Sequence, residues 1–425
     1  MKCSAASTPQ QVAFAMSEPQ IPRKTPLLGL YKDQIISMFR ESGYESWRAN
    51  QVWEWLYVSA ARNFGVMTNI PLKMRDEFTE KYSIELPKIS EKKHSIDGTM
   101  KFALEVSGGD IVEMVFIPEK AFVPHSAQID DTGIPVACCA ARPDYDDSDL
   151  LPVSANEPMI TEPLARATLC VSSQIGCLVK CAFCFTGTQR FARNLEAHEI
   201  IGQVLLMRDL LGDTGGKDSK RTLTNIVFMG MGEPLHNYEN VSRAIKIIMA
   251  EDGLAFSRRR ITLSTAGVVP YIKRCGEELG VNLAISLHAT NDKLRDYLMP
   301  INKQFPLSSL LDAVQKYPGI NQSRRVTFEY VMLKGMNDSD KDARDLARLI
   351  SGIPAKVNLI PWNYWPGATF QTSSRERIAT FSEILTNCGV NNTVRQQRGV
   401  DILAACGQLR TGQGDLQNTD ANSAL

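Results

Sequence analysis

The sequence predicts an α/β fold, a partial (β/α)6 barrel over residues 166–410, preceded by a small N-terminal helical domain and a β-hairpin bridge. After Arg166, six short apolar segments alternate with longer amphipathic segments, which is the pattern of parallel strands joined by crossover helices. Glycine-rich and polar motifs follow several of the strand segments, where such barrels carry their chemistry. The six predicted strands are 168–172, 225–229, 260–264, 282–287, 327–332 and 356–361.

Length and composition predict two or three globular domains. The chain has 425 residues, 44% of them apolar, and no uncharged apolar run approaches the length of a membrane span. Ten cysteines are scattered along the sequence, unlike a small secreted disulfide framework. Residues 1–26 show neither a secretory nor a transit signal. We therefore expect a disordered tail over 1–26, a cytoplasmic location and no membrane contact.

Two units precede the predicted barrel. Residues 27–92 carry apolar residues at helical spacing and predict a small helical domain. Its Trp47, Arg48 and Lys73 could contact nucleic acid, although tryptophan at helical spacing more often packs in a core. Residues 93–118 alternate instead between apolar and polar positions around a Ser-Gly-Gly-Asp turn, which predicts a β-hairpin bridge.

Residues 119–165 predict a flexible acidic insertion, rich in Ala, Pro, Ser and Asp. Between residues 120 and 165 there are eight acidic and two basic side chains, so the rest of this formally neutral chain is net basic. An anionic partner is therefore compatible with the zero overall charge. The basic clusters at 258–260, at 324–325 and at Arg395 with Arg398 predict either phosphate contacts or ordinary surface solvation. Residues 411–425 are predicted to be a C-terminal tail.

Three cysteines, Cys177, Cys181 and Cys184, stand in a C-x3-C-x2-C spacing directly after the first predicted strand. One short loop can thus present three thiolates to one inorganic cluster. Thiolates suit both iron–sulfur clusters and zinc, so the ligand type alone does not name the metal. Three ligands without a fourth favour a [4Fe-4S] cluster with one open iron, because a structural zinc site normally closes all four positions.

Further motifs follow the other predicted strands on the same rim. Gly232 and Glu233 lie in a Gly-Met-Gly-Glu-Pro segment after the second strand, where glycines allow a ligand to approach the backbone. Each motif alone is weak evidence. Together, beside a three-cysteine loop, they predict a site for a small polar cofactor, and S-adenosylmethionine fits. The remaining candidates at strand ends are Ser264, Ser286, Leu287, His288 and Asn363.

The ordered motifs resemble the RlmN family of radical S-adenosylmethionine RNA methyltransferases over nearly all of residues 27–410. Besides the three-cysteine spacing, the segments that carry the resemblance are Cys170-Val-Ser-Ser-Gln, Gly187-Thr-Gln-Arg-Phe-Ala-Arg-Asn-Leu, Gly230-Met-Gly-Glu-Pro, Ile261-Thr-Leu-Ser-Thr, Ala284-Ile-Ser-Leu-His-Ala, Val357-Asn-Leu-Ile-Pro-Trp-Asn and Asp401-Ile-Leu-Ala-Ala-Cys-Gly-Gln-Leu. The 119–165 segment departs from the family pattern, which raises a question about local geometry near the substrate.

The resemblance implies a radical SAM barrel that methylates C2 of one adenosine in the peptidyl-transferase centre of 23S rRNA, and of the adenosine 3′ of the anticodon in certain tRNAs. It implies a [4Fe-4S] cluster and S-adenosyl-L-methionine as cofactors. An electron donor such as flavodoxin or ferredoxin would supply electrons. A monomer is expected.

The resemblance also assigns roles to individual residues. Cys406 would carry the methyl group, and Cys170 would release the product by attacking the Cys406 sulfur, leaving a transient disulfide. Glu113 would handle the adenine C2 proton as acid or base. Cys177, Cys181 and Cys184 would hold the cluster. The implied S-adenosylmethionine contacts are Gly232, Glu233, Ser264, Ser286, Leu287, His288 and Asn363.

Two rival interpretations stay open at this point. The related adenine-C8 methyltransferase of antibiotic resistance shares the cluster and both working cysteines, although the segment from Gly187 to Leu195 favours the C2 enzyme. A non-catalytic RNA-binding protein with zinc at the three cysteines is the rival from another class. For Cys170 and Cys406 viewed alone, a buried structural thiol is the ordinary expectation.

Overall fold

The computed structural model describes residues 24–119, 166–213 and 221–411 of the chain. Nearly all of the predicted N-terminal tail, insertion and C-terminal tail therefore lies outside the described residues. Within the described ranges, no helix is both long and apolar enough to cross a bilayer.

The N-terminal unit contains three helices packed on one apolar core. Its elements are β1 (Thr25–Pro26), α1 (Lys32–Glu41), α2 (Ser46–Tyr57), α3 (Leu72–Lys81) and β2 (Tyr82–Ser83). The ring of Phe39 on α1 lies 4.7 Å from that of Phe78 on α3, within the range of favourable aromatic pairs. β1 pairs with β2 in parallel, so ordered structure begins two residues before the predicted boundary at 27. Trp47 is 48% exposed, unlike a core tryptophan.

Three antiparallel strands follow, β3 (Lys88–His94), β4 (Met100–Glu105) and β5 (Ile111–Pro118). They differ from the predicted hairpin in two ways. The first strand begins at Lys88, inside the range assigned to the helical domain, and β5 pairs directly with the first barrel strand. The predicted bridge is therefore an extension of the central sheet, because the exposed edge of β5 finds a partner there.

Within the described residues, the central sheet has ten strands in the order β14-β13-β12-β11-β10-β9-β6-β5-β4-β3. All six predicted barrel strands are present in parallel, each within two residues of its predicted bounds, and β14 adds a short seventh that the sequence analysis missed. The partial α/β barrel is thus confirmed. Its elements are β6 (Ala167–Cys170), β7 (Gln174–Ile175), α4 (Phe185–Thr188), β8 (Arg193–Asn194), α5 (Ala197–Leu211), β9 (Leu223–Phe228), α6 (Tyr238–Met249), β10 (Ile261–Thr265), α7 (Val269–Glu278), β11 (Asn282–Ser286), α8 (Asp292–Leu298), α9 (Leu307–Gln315), β12 (Val326–Met332), α10 (Asp340–Leu349), β13 (Ala355–Pro361), α11 (Arg375–Asn387) and β14 (Asn392–Val394).

Polar contacts attach the helical unit to the barrel. The Arg62 guanidinium donates to both carboxylate oxygens of Asp209 on α5, at 2.6 and 2.8 Å. The Trp53 indole donates to the Asp252 carbonyl at 3.2 Å. Bidentate arginine–carboxylate pairs fix orientation as well as distance, so these contacts set the position of the small unit beside α5 and α6.

The insertion leaves and re-enters the fold at one end of the β5–β6 pair. The Glu119 amide donates to the Arg166 carbonyl at 2.9 Å, so the two flanking residues are already adjacent. Cys170 lies at the other end of β6, three residues from Ala167, which is about 10 Å at the rise of a strand. The two residues that flank the insertion are therefore separated from Cys170 by the length of β6.

We therefore expect residues 122–162 to be dispensable for folding. Replacing them with a short Gly/Ser link should leave the thermal unfolding temperature unchanged or raise it, because a shorter loop saves up to about 2 kcal/mol of closure entropy. Circular dichroism melting is the measurement. A Gly/Ser replacement of equal length separates the effect of length from that of sequence. A clear loss of stability in both variants would show that the segment packs on the fold.

Candidate active site

The cysteine loop is closed at its base and pinned at its tip. β7 and β8 pair as an antiparallel ribbon that brings the two ends of the loop together. At the tip, the indoles of Trp362 and Trp365 both donate to the Phe183 carbonyl at 3.0 Å. A side chain at Gly187 would meet the Cys181 carbonyl at 2.5 Å, so only glycine fits there. The sequence thus builds a loop with little freedom between Cys181 and Cys184.

Cys177, Cys181 and Cys184 all line one cavity. Burial raises the pKa of Cys181 well above its ordinary value, and the neighbouring Cys184 and Cys177 raise it further. Burial likewise raises the pKa of Cys177, to about 12. Apolar burial of three close thiols disfavours thiolates unless a metal cation compensates for the charge.

The three thiols have the chemistry that an iron–sulfur cluster requires, although their side chains are not already arranged around a metal position. Among the described residues, no three Cys, His, Asp or Glu side chains already stand in metal-holding positions. The fit rests on three thiols from one pinned loop that face one cavity. Donors that soft suit iron–sulfur clusters and zinc alike.

The same cavity collects most of the other predicted site residues. Residues at the carboxyl ends of β9 to β13 form the wall of this cavity, as expected for a parallel barrel. Among the predicted cofactor contacts, Leu287 is the exception: it is fully buried and does not line the cavity, and its amide donates to the Glu329 carbonyl at 3.0 Å. The predicted contacts that line the cavity are Gly232, Glu233, Ser264, Ser286, His288 and Asn363, together with Cys406.

Glu233 mainly braces the rim. One carboxylate oxygen accepts from the Leu235 amide at 3.0 Å and the other from the Ala266 amide at 2.7 Å, which ties the ends of β9 and β10 together. Burial raises its pKa to about 7. Gly232 has φ 97°, and a Cβ there would lie 2.5 Å from the Gln174 side chain. A larger residue at 232 is excluded on both grounds.

His288 is a neutral ring held in a fixed orientation. Its Nδ1 accepts from the Val331 amide at 3.0 Å, which leaves the proton on Nε2. Burial lowers its pKa to about 3. The Phe183 ring packs edge-on against it at 4.7 Å. Behind it, the buried Arg295 guanidinium donates to the carbonyls of Ala266, Ser286 and Leu287, so the strand ends that carry the site are joined by one cation.

A second cavity is lined by both Cys170 and Cys406. The two cavities share Cys184, Cys406, Asn363 and Arg395. Asn363 does not point freely at a cofactor, since its amide nitrogen donates to the Cys406 carbonyl at 3.0 Å. Cys170 and Cys406 are free thiols here, as are the other described cysteines, Cys177, Cys181, Cys184, Cys275 and Cys388.

Cys170 and Cys406 differ in their surroundings. Cys170 is 8% exposed at the end of β6, whereas Cys406 is an exposed residue. Burial raises the pKa of Cys170 to about 12, the nearby Cys406 adds to the shift, and Arg395 opposes it. A buried thiol of this kind needs the neighbouring cation to react as a thiolate.

Glu113 lines neither cavity but is attached to the segment that carries Cys406. Its carboxylate lies 2.9 Å from the Lys101 ammonium, with both side chains buried, and accepts from the Arg410 amide at 2.8 Å. Lys101 also donates to the Leu403 carbonyl at 3.2 Å. Burial raises the pKa of Glu113, against the opposing charge of Lys101.

The sequence analysis missed several charged residues of the site. Arg395, considered there as either a phosphate contact or an ordinary surface residue, is part of the wall shared by the two cavities. Glu329 and Lys101 were not singled out. A signal existed for Glu329, a lone carboxylate inside the apolar run Val-Thr-Phe-Glu-Tyr-Val-Met. For Lys101, a basic residue on an alternating strand, the pattern gave no indication.

The comparisons with known proteins agree on one family. Residues 171–347 match the radical SAM superfamily, and residues 25–84 match the ribosomal RNA large subunit methyltransferase N-terminal domain. The dual-specificity RNA methyltransferase RlmN of Rhodospirillum rubrum is 45% identical over 397 residues, covering 93% of this chain and 82% of the relative. That of Rhodopseudomonas palustris strain TIE-1 is 45% identical, covering 95% and 93%. A radical SAM methyltransferase structure from Sphaerobacter thermophilus is 38% identical and superposes with a TM-score of 0.75, covering 91% and 99%.

We expect anaerobically reconstituted protein to be brown and to bind ~4 iron atoms per chain, as a [4Fe-4S] cluster requires. The triple change Cys177→Ala, Cys181→Ala and Cys184→Ala should remove both colour and iron, because these are the three thiols that the loop presents to the cavity. Iron analysis and the visible spectrum provide the measurement. The exposed Cys388→Ala is the matched control and should keep its iron. Iron at the wild-type level in the triple variant, or colourless protein containing zinc, would overturn the assignment.

Proposed function

The chain belongs to the RlmN family of dual-specificity RNA methyltransferases, and from this premise we propose that it methylates C2 of an adenosine in 23S rRNA and in tRNA. The relatives are named for dual RNA specificity, which supports both substrates. The observation that supports the chemistry most is the cavity shared by Cys170 and Cys406, which adjoins the cavity of the three-cysteine loop.

The proposal extends to partners and place of action. A low-potential electron donor such as flavodoxin or ferredoxin would deliver electrons, and the enzyme would act as a monomer. We propose a cytoplasmic location, supported by the free thiols of the described cysteines, since oxidising compartments favour disulfides.

The aromatic C2–H carbon of adenine is electron-poor and has no lone pair, so it cannot attack a sulfonium methyl group by a polar route. When bound, a [4Fe-4S] cluster and S-adenosylmethionine would supply the methyl group and the radical chemistry that overcomes this. Cys177, Cys181 and Cys184 would hold the cluster. The walls formed by Gly232, Ser264, Ser286, His288 and Asn363 would exclude water and orient the cofactor.

Cys406 is proposed to carry the transferred carbon as a thioether to adenine C2. Its position on the wall shared by both cavities suits this role, because the same sulfur must meet the methyl source and the base. Release would follow when the Cys170 thiolate attacks the Cys406 sulfur. An S–S bond forms as the S–C bond breaks, and the electron pair stays on the released carbon, which takes up a proton. An external reductant would then restore both thiols.

Glu113 is proposed to accept the proton that leaves adenine C2. A general base must be ionised when it acts, and burial of Glu113 opposes ionisation by raising its pKa. Lys101 compensates because its ammonium lies 2.9 Å from the carboxylate. The same ammonium contacts the Leu403 carbonyl. Lys101 is therefore a positioning residue that connects the base to the segment carrying Cys406.

The adenine-C8 methyltransferase is the second candidate, since it would use the same cysteines. The segment from Gly187 to Leu195 favours C2 as the target. Mass spectrometry of nucleosides from treated 23S rRNA and tRNA distinguishes 2-methyladenosine from 8-methyladenosine directly.

Replacing Cys170 and replacing Cys406 should have opposite effects on the amount of covalent protein–RNA adduct. We expect Cys170→Ala to accumulate protein covalently attached to RNA, because the carbon still reaches adenine but no thiolate releases it. Cys406→Ala should give no adduct, because the carrier is gone. Denaturing gels with labelled RNA are the measurement, and both variants should lose methylation almost completely.

Cys388→Ala is the matched thiol control and should methylate RNA normally without an adduct. The covalent proposal is wrong for this chain if Cys406→Ala still methylates RNA, or if neither active-site variant gives a crosslinked band while the wild type is active.

Lys101→Met should reduce the rate of methylation at pH 7 by about tenfold. This is less than the full contribution of general acid–base catalysis, because the base itself, Glu113, is still present. Loss of the ammonium removes the charge that lowers the pKa of Glu113, so the acidic limb of the pH–rate profile should move to higher pH. Lys101→Arg keeps a cation and should retain most of the activity near neutral pH. A uniform loss at every pH, with the limb unmoved, would assign Lys101 a purely structural role.

A further inference from the structure

Two carboxylates line the cavity of the three-cysteine loop, and they differ in what their oxygens contact. Both oxygens of Glu233 accept backbone amides. Glu329, which is 4% exposed, uses Oε1 to accept from the Asn358 amide at 3.0 Å. Its Oε2 is buried and, in the described part of the chain, has no hydrogen-bond donor. A buried carboxylate oxygen without a donor is costly and calls for a partner that the protein does not provide.

The ion pair of Glu329 with Arg395 does not satisfy this oxygen. The Arg395 Nη1 lies 3.9 Å from Oε2, too far for a hydrogen bond. Arg395 is also directed toward Met229, whose sulfur it contacts at 3.7 Å, and toward Cys170 and Cys406, whose negative charge would raise its pKa. Burial raises the pKa of Glu329, and the guanidinium opposes that shift but leaves the hydrogen-bonding position at Oε2 open.

The place of Glu329 in the barrel restricts which part of a ligand it can meet. It lies on β12, directly beside Ser286 on β11 and Asn358 on β13. The Gly232–Glu233 segment follows β9, three strands away in the sheet. The amino-acid end of S-adenosylmethionine is expected at the cysteine loop and this segment. The groups left to face β11 and β12 belong to the nucleoside.

We propose that Glu329 binds the ribose of S-adenosylmethionine, with Oε2 accepting a hydrogen bond from one ribose hydroxyl. The Ser286 hydroxyl, beside it on the neighbouring strand, would contact the other. The inference rests on the proposed use of S-adenosylmethionine and adds a binding residue to it. A carboxylate oxygen pre-positioned next to a serine hydroxyl matches a vicinal diol, whose two hydroxyls lie on adjacent carbons. The cation of Arg395 would favour the ionised, acceptor form of Glu329 against the effect of burial.

The isosteric variant Glu329→Gln tests the hydrogen bond without removing volume. Its carbonyl oxygen would stay on the Asn358 amide, so its NH2 group would occupy the position of Oε2 and replace an acceptor by a donor. Equilibrium binding of S-adenosylhomocysteine to the reconstituted iron-loaded protein, measured by calorimetry, should weaken about 10- to 100-fold, the range of a hydrogen bond to a charged group.

Analogues of S-adenosylhomocysteine lacking the 2′- or the 3′-hydroxyl identify the group that Glu329 contacts. For the analogue without the contacted hydroxyl, wild type and Glu329→Gln should bind with nearly equal affinity, since the bond is absent in both. The surface variant Glu239→Gln, whose carboxylate pairs with Arg274 outside the cavity, is the matched control. Iron content and thermal unfolding verify that each variant is folded and loaded.

Each outcome decides the inference. Equal affinity of Glu329→Gln and wild type for S-adenosylhomocysteine would overturn it. A loss of affinity that persists for both deoxy analogues would also overturn it and would point to the adenine amino group instead. If wild-type protein itself binds neither S-adenosylmethionine nor S-adenosylhomocysteine, the proposed function fails, and that result is distinct from both of the others.

Discussion

The arrangement of the site depends on the attachment of the segment around Cys406 to the cysteine loop. The Phe185 amide donates to the Gly407 carbonyl at 2.7 Å, and the Thr186 hydroxyl donates to the Leu409 carbonyl at 2.6 Å. These bonds join the C-terminal end of the described chain to the loop after the first barrel strand. Together with the bond from Asn363 to the Cys406 carbonyl, they fix the position of Cys406, which belongs to no regular element, relative to the strand end that carries Cys170.

Buried charges give the surrounding walls their rigidity. Arg295 is fully buried. Its guanidinium donates to the carbonyls of three residues at two neighbouring strand ends, and these carbonyls take the place of water. Burial lowers its pKa to about 10, and the nearby Cys181 opposes this shift. Removing a partner from a buried ion is far more destabilising than removing a surface pair. Lys101 has a comparable position on the other side of the site, between Glu113 and the Leu403 carbonyl.

The sequence predicted what depends on local pattern. Six barrel strands and the rim motifs after them could be located because periodicity and glycine-rich turns are local signals. β14 was missed because three residues carry almost no periodic information, and β3 was missed because its exposed, charged sequence lacks an apolar face. Ion pairs such as Lys101 with Glu113 depend on the register of β4 against β5. Register follows from the whole sheet, so such pairs could not be read from spacing.

The contrast between the two working cysteines follows from where the backbone holds them. Cys170 lies on a strand, buried and fixed, whereas Cys406 lies in an irregular segment between Leu403 and Gly407, both of which have positive φ. Asn363 holds the Cys406 carbonyl, so the backbone is fixed there while the exposed side chain borders both cavities. In the proposed mechanism the Cys406 sulfur would meet a methyl source, a base and a second thiol in turn, and such a sulfur needs a side chain with several neighbours. The Cys170 sulfur, which is proposed only to attack the Cys406 sulfur, needs a single fixed orientation. Its place at the end of a β-strand provides that orientation.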